Sequence, residues 1–335
     1  MADKSSTFGC GDEAGASVAT EAEGGMSRLA GVLRSNEPMS RHVTWRAGGT
    51  VTAAYTPRDL EDLARFLGRL RPDEPLMAVG LGSNLLVRDG GFDGTVVFTH
   101  GALKRLEIDA GSGLIYAEAG VASPKLARYA ALHDRVGAEF LAGIPGCVGG
   151  ALAMNAGCHG SETWQHVERV LMLDRRGRLI QRNADDFEIG YRHVGLRRGC
   201  DEIFAAAWFR FPAGDGEAAR KRMRELLERR AATQPLQLPN AGSVFRNPPG
   251  DHAARLIEAA GLKGVTAGGD KGGNPVGARV SEMHANFIVN PGGMGSASEI
   301  ESLIGHVQAV VKEKFGVELI REVRIVGLAT MEGTR

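Results

Sequence analysis

Three polar groups far apart in the sequence could do chemistry: an arginine, a serine and a carboxylate. Ser243 lies in Asn240–Pro248, a loop before a predicted helix, and Arg192 follows Tyr191; Glu322 lies on a late predicted strand. An arginine offers paired donors to a carboxylate, and a serine or glutamate can deliver a proton. Taken singly, each has an ordinary alternative, because serine beside glycine is common in turns and exposed arginine and glutamate commonly form ion pairs.

A first glycine loop, Gly80–Leu85, follows the predicted strand Leu76–Val79. It fails the dinucleotide fingerprint, since Leu85 replaces the third glycine and further glycines follow where a helix should open. Successive main-chain N–H groups in such a turn can still bind a phosphate, although a plain tight turn would look the same. The candidate phosphate-binding residues here are Gly80, Gly82, Ser83, Asn84 and Leu85.

A second glycine loop, Ala142–Gly157, contains a proline and mostly small apolar residues. Its composition favours neither helix nor strand but a flat backbone that a planar ring or a pyrophosphate can approach. A close-packed turn between domains is the alternative. Two such loops in separate α/β units favour a ligand with two phosphates. The candidate ligand-binding residues are Gly143, Ile144, Pro145, Gly146, Gly149, Gly150, Asn155 and Ala156.

The elements around these loops divide the chain into four segments. Residues 1–25 nearly lack large apolar side chains, which predicts a disordered tail. Residues 26–100 and 101–213 form two predicted α/β units that carry one glycine loop each. Residues 214–330 form a third predicted unit, and Ser243 and Glu322 lie in it.

Local signals predict where individual helices begin. Thr56-Pro57 has the N-cap and first-turn chemistry of a helix, and leucines at helical spacing follow it. Ser298 and Glu301 have the spacing of a capping box.

Composition excludes several function classes. Lys and Arg total 40 and Asp and Glu total 40, and this zero net charge argues against a nucleic-acid partner. The four cysteines form no zinc-binding pattern, so we predict reduced thiols and no metal site. The sequence has no stretch long enough to span a bilayer and no secretory signal, which predicts a cytoplasmic protein without membrane insertion.

The motifs, in order, resemble the UDP-N-acetylenolpyruvoylglucosamine reductase family over about residues 27–330. The chain lacks the tyrosine-bearing insertion of the family's longer form, so it resembles the shorter type. The matching stretches are Thr44–Gly49, Gly80–Leu86, Ala142–Gly157, Tyr191-Arg192, Ala241–Pro248, Leu256–Gly264, Val280–Phe287 and Glu322–Arg324.

The resemblance implies an α+β protein. Its FAD-binding fold would be of the vanillyl-alcohol-oxidase (PCMH) type in two α/β subdomains, followed by a C-terminal α+β substrate domain. It implies that NADPH, a co-substrate, reduces a non-covalent FAD. The reduced flavin then reduces UDP-N-acetylglucosamine enolpyruvate to UDP-N-acetylmuramate, a precursor of peptidoglycan. The partners it implies are therefore NADPH and a UDP-sugar.

The resemblance also implies residue roles. Arg192, Ser243 and Glu322 match the family's catalytic arginine, proton-donating serine and glutamate. Met283 and Val194 depart from the family's frequent lysine and serine, which bears on substrate affinity. The predicted substrate-binding residues are Tyr191, Arg246, Asn247 and Asn286.

Two other classes of function remain at this stage. A flavin-dependent sugar or alcohol oxidase of the same fold would often hold FAD covalently through His or Cys, and Trp45–Gly49 contains neither residue. Cys147 and Cys158 are the candidates within the second glycine loop. A nucleotide-binding regulator without turnover would not need the three catalytic residues.

Overall fold

The computed structural model describes residues 29–199, 201–267 and 277–330. The predicted disordered tail, residues 1–25, lies outside the described residues, as do Cys10 and Cys200. Within the described part of the chain, no helix is both long and apolar enough to cross a membrane.

The first sheet has four strands in the order β1-β2-β5-β3, with β2, β5 and β3 parallel and β1 antiparallel to β2. Its region comprises β1 (Val32–Pro38), β2 (Thr50–Thr56), α1 (Leu60–Leu67), β3 (Leu76–Val79), β4 (Leu85–Val87) and β5 (Phe92–Phe98). The predicted helix start at Thr56 is wrong. Asp59 caps α1 instead, because its carboxylate accepts a hydrogen bond from the Asp62 N–H at 2.8 Å. A strand, β4, and not a helix follows the first glycine loop, in agreement with the failed fingerprint.

The second sheet has five antiparallel strands in the order β11-β10-β14-β7-β6. Its region comprises β6 (Leu106–Ile108), β7 (Ile115–Glu118), α2 (Ser123–Leu132), α3 (Val148–Ala153), β8 (Gly157–Cys158), β9 (Ser161–Glu162), β10 (Val167–Leu173), β11 (Leu179–Arg182), β12 (Phe187–Gly190), β13 (His193–Leu196) and β14 (Ile203–Phe209). The second glycine loop was not expected to be helical, yet it contains α3. Glycine at position 149 lets α3 pack closely against Ala119, because a Cβ there would lie only 2.9 Å from the Cβ of Ala119.

The third region comprises α4 (Gly216–Thr233), α5 (Ala253–Ala259), β15 (Arg279–Val280), β16 (Ile288–Val289), α6 (Ala297–Phe315) and β17 (Arg324–Val326). The predicted capping box of α6 is off by two residues, since Ser296 and Glu299 form it. Ser298 instead donates to the Asp89 carboxylate, and Glu301 pairs with Arg88 at 2.8 Å. The side chains of Ser298 and Glu301, which the local spacing had assigned to the cap, therefore bond to residues of the first region.

The third region packs against the first. Strand β17 pairs in parallel with β4, with Arg324 opposite Leu85. The buried Trp45 indole donates to the carbonyl of Ile288 at 2.8 Å and packs in the core of the third region. The third region also contributes to a neighbouring core, because Ala219 of α4 packs among the buried residues of the second sheet. The domain boundaries at residues 100 and 213 stay predictions.

Candidate active site

A cavity of about 960 Å³ lies where the three regions meet. Both glycine loops line it, and so do Arg192, Ser243 and Glu322. The structure therefore brings together the three polar groups that are far apart in the sequence, and it places them beside the candidate phosphate-binding loops.

Arg192 and Glu322 form a partly buried ion pair in this cavity. The Arg192 Nε donates to Glu322 Oε1 at 2.8 Å, and the two side chains are only 18% and 17% exposed. Arg192 also donates to the carbonyl oxygen of Gly157 at 2.7 Å. The surface ion-pair alternative is therefore excluded by burial, and the guanidinium is fixed in direction by two different acceptors.

Burial raises the pKa of the Glu322 carboxyl, although the charges of Arg192 and Arg246 lower it in part. A carboxyl with a raised pKa keeps its proton to higher pH than an ordinary glutamate, which suits a proton donor. The Asn84 side chain donates to the Glu322 carbonyl at 3.2 Å, so the first glycine loop and Glu322 are tied together.

Ser243 reaches the cavity from a loop that is hydrogen-bonded to the segment of Glu322. Gly242 before it has φ 75°, a left-handed conformation that favours glycine. The Val244 carbonyl after it accepts the Glu322 N–H at 2.8 Å. These main-chain constraints place the serine and the glutamate on one side of the cavity.

The first glycine loop offers unpaired main-chain donors. Among the hydrogen bonds of the described residues, none is donated by the N–H groups of Gly82, Ser83 or Asn84, all three of which line the cavity. The N–H of Gly150, near the start of α3, is likewise without a partner within the described chain. Such a cluster of N–H groups suits the oxygens of a diphosphate.

Comparison with known proteins agrees with this geometry. Residues 234–326 match the model of the UDP-N-acetylenolpyruvoylglucosamine reductase C-terminal domain, and residues 51–182 match an FAD-binding domain. The UDP-N-acetylenolpyruvoylglucosamine reductase of Thiobacillus denitrificans is 54% identical over 89% of this chain and 93% of its own length. This chain belongs to the UDP-N-acetylenolpyruvoylglucosamine reductase family. The predicted family, the α+β FAD-binding fold, and the prediction of an FAD-dependent oxidoreductase are confirmed.

Further relatives point the same way. The reductase of Nitrosomonas eutropha is 53% identical over 89% of this chain and 90% of that protein. The crystal structure of the Thermus caldophilus UDP-N-acetylenolpyruvylglucosamine reductase superposes with a TM-score of 0.72 at 29% identity. That match covers 89% of this chain and 99% of the other, so the resemblance extends over the whole architecture.

The reductase has a cradle that fits FAD. We define the flavin cradle as Gly80–Leu85 together with Gly143–Gly150. A Cβ added at Gly150 would meet no protein atom within 4 Å, so a ligand can lie against this backbone. The predicted cofactor residues that line the cavity are Gly80, Gly82, Ser83, Asn84, Leu85, Gly143, Ile144, Pro145, Gly146, Gly149, Gly150 and Ala156.

The predicted substrate-binding residues lie around the cavity rather than on its wall. Asn286 exchanges hydrogen bonds with the main chain of Phe245, and Asn247 accepts from the first N–H of α5. Arg246 donates to the Arg192 carbonyl at 3.0 Å. Tyr191 is 49% exposed, with its ring near the Arg192 guanidinium. Their role as substrate ligands stays a prediction.

Sequence reasoning missed Arg230 on α4. Its guanidinium donates to the Gly143 carbonyl at 2.7 Å and to Gln234, and no carboxylate of the described residues pairs with it. Burial lowers its pKa. It lines the main cavity and a neighbouring one of about 700 Å³. Arg230 differs from the other arginines of α4 by its position beside the backbone of the second glycine loop. The sequence of α4 contains several arginines and does not show which of them has this position.

Proposed function

We propose that this reductase converts UDP-N-acetylglucosamine enolpyruvate to UDP-N-acetylmuramate with NADPH as the electron donor, in the synthesis of peptidoglycan precursors. The observation that carries the proposal is the convergence of Arg192, Ser243 and Glu322 on the cavity that the flavin cradle lines. Bound FAD would supply the chemistry of hydride transfer between the nicotinamide and the enolpyruvyl double bond.

Arg192 stabilises the charge that develops on the substrate. Hydride addition to the terminal carbon of an enol ether moves negative charge onto the α-carbon and its carboxylate. A fixed guanidinium at that carboxylate stabilises the transition state more than the ground state. The contacts to Glu322 and Gly157 hold Arg192 in place before the substrate arrives.

Ser243 delivers a proton to the α-carbon from one face and so sets the stereochemistry of the product. A serine hydroxyl is a weak acid, so a second group must replace its proton. Glu322 lies on the same side of the cavity, and its raised pKa supports that role.

FAD is held without a covalent bond, and the enzyme works in the cytoplasm. Burial raises the pKa of the Cys147 thiol to about 11 and raises the pKa of Cys158, which disfavours the reactive thiolate of both. Both cysteines are free, as expected in a reducing compartment.

Ser243→Ala tests the proposal, because only one half of the reaction needs the proton. Stopped-flow absorbance of the flavin should show reduction by NADPH nearly unchanged. Re-oxidation by the enolpyruvyl substrate should slow by roughly 10²–10⁴.

Ser112→Ala, an exposed turn residue outside the cavity, is the matched control and should leave both halves unchanged. Equal slowing of both halves in Ser243→Ala would assign Ser243 to the shape of the pocket. Oxygen consumption with a sugar and without NADPH would instead identify an oxidase.

A further inference from the structure

Asn155 is a polar residue of the second glycine loop that does not line the cavity. It is 2% exposed and has φ 41°, a conformation that few side chains adopt. Its amide donates to Glu162 Oε2 at 2.8 Å and to the Gly190 carbonyl at 3.2 Å. Its side-chain oxygen accepts the Trp164 N–H at 3.1 Å. All polar positions of this side chain are thus engaged by protein.

These contacts hold Arg192 from both ends. Gly190 lies two residues before Arg192, so the Asn155 amide fixes the backbone that leads into it. At the other end, the Arg192 guanidinium donates to the carbonyl of Asn155 itself at 3.5 Å and to the carbonyl of Gly157 at 2.7 Å. Arg192 also has a left-handed backbone, with φ 55°. A strained turn persists only where its surroundings determine it.

We propose that Asn155 is a positioning residue that acts through Arg192 and not a ligand of the flavin. The inference rests on the proposed function, since it assigns Arg192 to the substrate half of the reaction. Asn155 ties the turn that carries Arg192 to β9 and to the segment that receives its guanidinium. Loss of the tie leaves the arginine charged and present but free to rotate away from the reacting carboxylate.

Asn155→Gly is the variant that isolates the amide, because glycine keeps the positive φ without strain. Re-oxidation of the flavin by enolpyruvyl substrate should slow by about 10- to 100-fold, the scale expected when a catalytic group is misplaced by about 1 Å. Flavin reduction by NADPH and the Kd for FAD should stay within about twofold of the wild type. A loss of FAD affinity would overturn the proposal and make Asn155 a flavin contact.

The decisive readout is a double-mutant cycle with Arg192→Lys. If Asn155 acts through the guanidinium, Asn155→Gly should change the re-oxidation rate of the Arg192→Lys enzyme by less than about twofold. The same factor in both backgrounds would show that Asn155 acts independently and would overturn the inference. Failure of the proposed function would give a different result from failure of this inference. In that case Arg192→Lys alone would leave the re-oxidation rate unchanged.

Asn290→Ala is the matched control for stability. Asn290 is also fully buried, and its amide bonds the carbonyls of Trp45 and Gly295, away from Arg192. It should lower the Tm without selective slowing of re-oxidation. Selective slowing in this control would overturn the inference. If Asn155→Gly does not fold, Glu162→Ala removes the same anchor from its other side and should show the same selective slowing and the same dependence on Arg192.

Discussion

The flavin cradle and the catalytic trio of Arg192, Ser243 and Glu322 are built in opposite ways. The cradle consists of two continuous stretches that line the cavity, and it includes the main-chain N–H groups of Gly82, Ser83, Asn84 and Gly150 that have no partner within the described chain. The trio consists of side chains from three distant segments that are held by long-range hydrogen bonds. A main-chain site is damaged by added volume, whereas a side-chain site is damaged when a functional group is removed. Each kind of damage should therefore be selective.

The largest effect is expected for the trio. Arg192→Lys keeps the charge but loses the planar fork that holds both the carboxylate and the main-chain carbonyl. Re-oxidation of the flavin by substrate should slow by roughly 10²–10³, the cost of losing one preorganised donor, while reduction by NADPH is nearly unchanged. Arg210→Lys is the control, since Arg210 forms an exposed pair with Glu168. Unchanged turnover in Arg192→Lys would make its ion pair purely structural.

A smaller effect is expected when a methyl group is added to the cradle. Gly150→Ala meets no protein atom within 4 Å, so the folded protein should keep its Tm while its affinity for FAD falls by about tenfold. Gly82→Ala should lower both the Tm and the affinity for FAD. Its Cβ would collide with the His42 carbonyl, and its φ of 61° is a left-handed conformation that is strained for alanine. FAD released by acid precipitation and the Tm of the FAD-free protein measure the two effects. Full FAD affinity in Gly150→Ala would remove this residue from the cradle.

The smallest effect concerns pH. Glu322 is protonated below its raised pKa, so the re-oxidation rate of the wild type should fall as the pH rises through that value. Glu322→Gln has no proton to lose, and its rate should be lower at acidic pH but flat across this range. The pH profile of re-oxidation checks this. The same falling limb in Glu322→Gln would assign the titration to another group.

The two glycine loops are easier to find in the sequence than the surroundings of the trio, for a physical reason. Each loop is local, so its composition indicated a backbone that a ligand could approach, although an ordinary turn would have the same composition. The packing of helix α3 and the partners of Ser298 depend on tertiary contacts that are invisible in a short window. The cap of α1 is local, since Asp59 bonds the Asp62 N–H, and the alternative cap at Thr56 had the same local chemistry. The trio itself was recognised through family resemblance, since residues in separate segments have no spacing that links them.

The environments of Asn155 and Arg230 were equally inaccessible from the sequence. Asn155 was predicted as a cofactor contact because it lies in a glycine-rich run, and its side-chain partners come from residues that follow it by up to 35 positions. Arg230 looked like one of many arginines on a charged helix, and its contact with the Gly143 carbonyl exists only in the folded protein.

The parallel pairing of β17 with β4 has a consequence for biosynthesis. Within the described chain, the strand that follows the first glycine loop pairs with residues 324–326, which come far later in the sequence. A nascent chain on the ribosome can form the first sheet early, but it lacks that neighbour and Glu322 until residues 322–326 have been synthesised. The cavity that holds the cofactor is therefore completed after the first sheet, and a translation product that stops before Glu322 lacks one member of the trio.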